Sequence, residues 1–237
     1  MSVQAFNCYG DNRKKGFCVH CGGPVESRDH VPSKVLLDEP LPENVMVSPS
    51  CLSCNQSFSL DEEYLACLLE CVIVGEVDAA KVERTRVARI LQTNAHLSAT
   101  LQKSRTINSE GQIEWLADVE RVKIVLMKLA RGHVAYELNQ PCLGEPTSFA
   151  FKPLAAMSSS ERDAFEDDVR DVGDSPFWPE VGSRAMQRIM IVGNMILDGG
   201  WLIIQDERYR FQAFASNGSS VVRIVIREYL ACEVIWN

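Results

Sequence analysis

The sequence predicts an α+β fold, and three observations carry that expectation. Two Cys-x-x-Cys pairs, Cys18 with Cys21 and Cys51 with Cys54, bracket a segment rich in Pro, Gly and Ser. The middle of the chain places apolar residues at helical spacing. From residue 185 onward the texture becomes β-branched and aromatic, punctuated by Gly199-Gly200, Asp206-Glu207 and Asn217-Gly218, which predicts an antiparallel meander.

The first segment needs a cross-link. Residues 18–57 hold five prolines and little continuous apolar sequence, so they cannot bury much core alone, and a metal would supply the missing stability. Each Cys-x-x-Cys pair forms one jaw of a tetrahedral zinc site, and two jaws complete it with four thiolates. Gly22-Gly23 after the first jaw permits the tight turn of a zinc knuckle. The 29 residues between the jaws must themselves fold. The nine cysteines form an odd set, and the first residues show no basic start followed by an apolar run, so neither a secretory signal nor a disulfide framework is expected. Cys8, Cys67, Cys71, Cys142 and Cys232 read as small buried hydrophobes.

The helices follow in order. Leu65, Leu68, Leu69, Val72 and Ile73 predict a helix over 61–74 that ends at Gly75, with Ser59 or Asp61 as its cap. Asp78 starts a second helix expected to run to about 103. Strands over 106–108 and 112–116 flank a Gly111 turn. A third helix spans 118–138 with Val122, Val125, Leu126, Leu129 and Val134 on its stripe. Ser158, Ser159 or Ser160 caps a short acidic helix reaching about 169. Phe149-Ala150-Phe151 forms a strand. The five C-terminal strand segments lie over 188–192, 201–205, 209–215, 221–227 and 230–236. Residues from about 105 to 237 are expected to form one α+β body, the 118–138 helix covering the sheet's apolar face. The domain reading is 1–75 and 76–237, with one continuous body as the alternative.

Composition bounds the function. The 237 residues are 46% hydrophobic with no run near the roughly 20 residues a membrane span needs, so the expected location is the cytoplasm and no membrane partner is expected. A net charge of -8 is unlike a strongly basic nucleic-acid binder. Residues 1–60 are nearer neutrality, carrying Arg13, Lys14, Lys15, Arg28 and Lys34. Any nucleic-acid contact is therefore expected in a basic strip near the site, with a shallow salt dependence.

The chemistry is expected at Asp29-His30-Val31-Pro32, between the jaws, and at Asn55, directly after Cys54. An acid and an amide can share a hard cation through oxygen, and a neighbouring His can take a proton from an attacking water.

Cys-x-x-Cys, then Asp-His-x-Pro, then Cys-x-x-Cys-Asn resembles the zinc-bearing branch of the HNH, or ββα-metal, endonucleases, and among these the phage junction-resolving type. The resemblance covers roughly residues 18–60. It implies a small zinc-stabilised ββα-metal module, followed here by a helical middle and a C-terminal antiparallel sheet. It implies hydrolysis of phosphodiester bonds, with His30 as the base and 5′-phosphate products. Asp29 and Asn55 would bind a catalytic Mg²⁺ or Mn²⁺, while Cys18, Cys21, Cys51 and Cys54 hold a structural zinc. The implied partner is nucleic acid, DNA in the first instance, with a further protein as a possible carrier of substrate, and the implied setting is phage defence, restriction or a mobile element. No His follows Asn55 where many such sites carry one. Asp61 or Glu62 can complete the metal site, or simply sit at a helix N-terminus favoured by its dipole.

Other residues have milder readings. His20 reads as exposed filler inside the knuckle. His133 and Glu137 read as a polar pair on a helix. Arg28 and Lys34 flank the Asp-His and can touch phosphate. The alternative to a nuclease is a non-catalytic zinc-bound module that binds nucleic acid or a protein. The discriminating geometry is whether Asp29, His30 and Asn55 converge on an open, solvent-reachable point.

Overall fold

In the computed structural model, which describes residues 16–42, 45–166, 201–216 and 218–237, the two jaws are joined by an antiparallel hairpin. Strand β1 (Ser27–Val31) pairs with β2 (Met46–Ser50), Asp29 facing Ser48 and Val31 facing Met46. Helix α1 (Leu52–Ser57) follows at once. The expected ββα order is therefore present.

The next elements are α2 (Ser59–Val74), α3 (Thr85–Thr93), α4 (Ala95–Ser104), β3 (Arg105–Ile107), β4 (Ile113–Trp115) and α5 (Val119–Glu137). Gly75 closes α2 at φ 84° and donates its N–H to Cys71 O, a left-handed cap that suits glycine. The single helix expected over 78–103 is two helices. Asn94 divides them, because its side chain accepts the Leu97 N–H and caps a new helix in place of continuing the old one.

The chain then forms β5 (Ser148–Pro153), α6 (Ser159–Glu166), β6 (Leu202–Gln205), β7 (Tyr209–Ser216), β8 (Ser219–Ile226) and β9 (Leu230–Trp236). Ser158 caps α6 in a reciprocal box, its Oγ accepting the Glu161 N–H while Glu161 Oε2 accepts the Ser158 N–H. The strands make one antiparallel sheet in the order β5-β9-β8-β7-β6. It holds the expected meander and adds β5 beside β9. The expected strand over 188–192, Cys8, the basic residues Arg13, Lys14 and Lys15, and the end of the acidic helix beyond 166 lie outside the described residues.

The chain divides into two compact units, one of residues 1–56 with 127–237 and one of residues 57–126. Helix α2, grouped with the cysteine segment in a division at 75, belongs by its contacts to the helical unit. The β3–β4 hairpin and the start of α5 belong there too, so 105–237 is not a single body. The reason is local: Tyr64 OH accepts the Asp118 N–H at 2.7 Å, and Arg121 pairs with Asp61.

In the first unit the sheet is covered on both faces. His133 of α5 stacks on Phe211 of β7 with ring centroids 3.7 Å apart and bonds the Tyr209 hydroxyl at 2.7 Å. On the opposite face Leu154, Phe165, Trp201, Val225 and Ala231 form a second apolar cluster. The period-2 alternation of β7 and β8 thus serves two layers.

Candidate metal centre and the strand beside it

The cysteine cluster is built by backbone pairing. The Val19 N–H donates to Pro49 O and the Glu26 N–H to Ser50 O, which holds the first jaw against β2. The second jaw begins at Cys51, the residue after β2 ends. Within the first jaw the Gly22 N–H reaches Cys18 O and the Cys18 N–H reaches Gly23 O, with Gly22 at φ 76°. The Gly23 N–H points at Cys21 Sγ and the Cys54 N–H at Cys51 Sγ. The four sulfurs lie within 4.8 Å of one another, a cluster that can hold a zinc ion.

The thiols respond to one another. Burial works to raise Cys18, but the backbone N–H groups of Cys51, His20 and Cys21 and the Ser50 hydroxyl outweigh it and bring it down to about 6. Burial and then the neighbouring thiols of Cys51 and Cys21 push Cys54 far up. One thiolate is favoured, and four at this distance require a cation between them. Elsewhere, burial raises the thiols of Cys67 and Cys71 to about 12. Both are buried, as is Cys232, while Cys142 is half-buried, so packing accounts for them.

Asp29 is in the interior, 4% exposed. Its Oδ1 lies 2.9 Å from Lys128 Nζ and its Oδ2 lies 3.1 Å from His20 Nε2. Lys128 also donates to Ser33 Oγ at 2.8 Å. Burial acts to raise the Asp29 carboxyl, and the His20 bond and the Lys128 charge hold it below its ordinary value. His20 is therefore not exposed filler. It is 6% exposed and is a direct partner of Asp29, because the knuckle turns it inward toward β1.

His30 follows Asp29 on β1 and is half-exposed. Successive strand residues point to opposite faces, which separates the His30 ring from the Asp29 pair with Lys128. Asn55 of α1 uses its amide nitrogen on the strand, donating to Ser27 Oγ at 3.2 Å and to Arg28 O at 3.3 Å. That clasp fixes the backbone two residues before His30. Arg28 is exposed and Lys34 half-buried. Asp61 pairs with Arg121 at 2.5 Å within the helical unit, and Glu62 lies beside it in the first turn of α2, where the helix dipole favours an acid.

The donor set bears on the second metal. Both Asp29 oxygens already hold cationic or N–H donors, and the ammonium of Lys128 lies where a divalent ion would need the carboxylate. The site as built does not fit Mg²⁺ or Mn²⁺ on Asp29.

One turn of α5 supports this strand, and the sequence reading assigned it no such role. Lys128 reaches Asp29, Arg131 donates to His20 O at 3.3 Å, and Gly132 lies against Val31, where a Cβ would stand 2.5 Å from Val31 Cγ2. A signal existed: a lysine and a glycine interrupt an otherwise apolar stripe between Val125 and Val134. The chain matches no family model, no curated protein and no solved structure.

Proposed function

We propose that this chain is an HNH-type endonuclease in which His30 is the general base. The observation that supports the reading is the placement of His30 on the first strand of a four-cysteine hairpin-and-helix, with Asn55 clasping the strand just before it.

In this reading the His30 imidazole takes a proton from a water whose oxygen attacks the phosphorus. The bond from phosphorus to the leaving sugar oxygen breaks as the new one forms, and that oxygen takes a proton from solvent. Arg28, exposed one residue before Asp29, offers a guanidinium to the phosphate. Zinc held by the four thiolates would keep the hairpin folded. Asp29 acts as a positioning group, its charge holding Lys128 and His20.

A second reading, a zinc-bound module without turnover, is favoured by the same Asp29 ion pair and by the bracing use of Asn55. Cleavage separates the two. Plasmid DNA, single-stranded DNA and RNA are incubated with the chain in Mg²⁺, in Mn²⁺ and without added divalent ion. His30→Ala is expected to lower cleavage by roughly 10²–10⁴-fold, the usual contribution of a general base. Equal cutting by wild type and variant would remove His30 from the mechanism, and no cutting under any condition would favour the binding module.

A further inference from the structure

Helices α3 and α4 of the helical unit bury one face each, through Val87 and Leu91 and through Leu97 and Leu101. What they leave outside is basic. Arg86 and Arg89 are exposed on α3 and three residues apart, so they are neighbours on its surface, about 4.5 Å apart along the axis. His96 and Lys103 are exposed on α4 and seven residues apart, two turns on one stripe. Residues 85–109 contain four Lys or Arg and no Asp or Glu, in a chain of net charge -8. Glu83, just before α3, is the nearest acid in sequence.

Pairing makes the face unusual within its own unit. Lys81 meets Glu76, Arg84 meets Glu70, Arg121 meets Asp61 and Lys123 meets Glu120. Among the described residues, Arg86, Arg89 and Lys103 have no carboxylate partner. Surface cations without a carboxylate partner gain no ion-pair stabilisation, itself small at a surface, yet they present a positive potential to an anion. Gln92 is exposed on α3 and can donate its amide to phosphate or sugar oxygens.

We propose that the exposed face of α3 and α4 binds the phosphate backbone of a nucleic acid, with Arg86, Arg89 and Lys103 as the contacts. The choice of nucleic acid over another polyanion rests on the nuclease reading. The face supplies affinity without sequence readout, since none of its residues needs to reach a base.

The experiment is a salt series on the full chain. Fluorescence anisotropy follows binding to labelled duplex DNA, single-stranded DNA and RNA oligonucleotides, with no added divalent ion. The triple variant Arg86→Gln, Arg89→Gln, Lys103→Gln is compared with wild type and with the single variant Lys123→Gln. Each lost phosphate contact should flatten the log–log salt slope by about 0.9 on duplex and about 0.7 on single strands, hence by roughly 2–3 for the triple. The three single substitutions should each flatten it by about one. Lys123→Gln should leave the slope unchanged. Circular dichroism checks folding, and the single variants stand if the triple fails it. Wild-type slope in the triple, or no binding by wild type, overturns the proposal. Labelled polyglutamate is titrated alongside, and a triple variant that loses binding to polyglutamate alone also overturns the proposal and marks an acidic protein as the partner. If wild type binds through this face and never cuts, the proposal stands and the nuclease reading falls. If it cuts but the triple keeps its slope, the reverse holds.

Discussion

The His20 imidazole and the Asp29 carboxylate meet at 3.1 Å in the interior, and Lys128 closes the same carboxylate from its other oxygen at 2.9 Å. All three side chains are almost fully buried. Removing one partner of a buried ion pair leaves an uncompensated charge, which costs more than the pair contributes. Lys128→Met should therefore destabilise the chain by about 3–5 kcal/mol in urea unfolding. Lys128→Met with Asp29→Asn should recover a large part of that. A double variant no better than Lys128→Met would show that the charge is not the cause. Asp29 also sets a sign with pH. Its folded carboxyl titrates below the unfolded one, so its contribution is full above the ordinary carboxylate range and is lost as pH falls through the depressed value. Asp29→Asn should weaken the acid dependence in that window.

How much of this was legible in the sequence varies with the range of the interaction. The Cys-x-x-Cys spacing of each jaw, Gly75 as a helix stop and the alternation in 209–227 depend on neighbours in sequence, and each is present. The hairpin between the jaws pairs residues far apart in sequence, and only the resemblance implied it. The inward turn of His20 is not local. It depends on Asp29 nine residues on and on Lys128 over a hundred residues away, and no spacing rule connects those positions. The same holds for β5, which looks like a lone strand until β9 pairs with it. Asn94 was legible in principle as a cap, but an unbroken apolar stripe on both sides suggested one helix.

The cysteine cluster predicts a metal stoichiometry. The purified chain should carry about one Zn²⁺, bound through Cys18, Cys21, Cys51 and Cys54. Cys→Ser at any of the four should release it and loosen the hairpin. Cys67→Ser and Cys232→Ser should leave the metal in place, because burial already keeps those thiols protonated. Elemental analysis with a thiol titration checks this, and zinc retained after a Cys51→Ser change would contradict the four-thiolate site.

His133 makes a second pH prediction of opposite origin. The ring is fully buried between Phe211 and the Tyr209 hydroxyl, and burial followed by the Lys128 charge holds its folded pKa well below the ordinary value. The folded chain stays neutral there while the unfolded chain binds a proton below pH ~6.5. Stability should fall as pH drops through that point, by up to about 1.4 kcal/mol per pH unit for this one proton. His133→Gln should flatten that slope, as read by urea midpoints between pH 7.5 and 5 set against wild type. An unchanged slope would place the acid sensitivity elsewhere.

Gly132 pits helix propensity against packing. It lies inside α5, where alanine would ordinarily gain about 1 kcal/mol. Here the added Cβ would stand 2.5 Å from Val31 Cγ2 and 3.0 Å from Cγ1, and Val31 is fully buried. Branched Val31 has few rotamers to retreat into, so the strand itself must shift. Overpacking of this kind costs about 1–3 kcal/mol, which offsets or exceeds the propensity gain. The expected result for Gly132→Ala is a net loss of about 0–2 kcal/mol, with none of the gain that alanine brings elsewhere in a helix. Since Val31 follows His30, the same shift should lower any cleavage more than the stability loss alone would. Gly132→Ala combined with Val31→Ala removes the clash, and the pair should cost less together than the two single changes added. Strict additivity would mean that the close approach of α5 to β1 is not what requires glycine at this position.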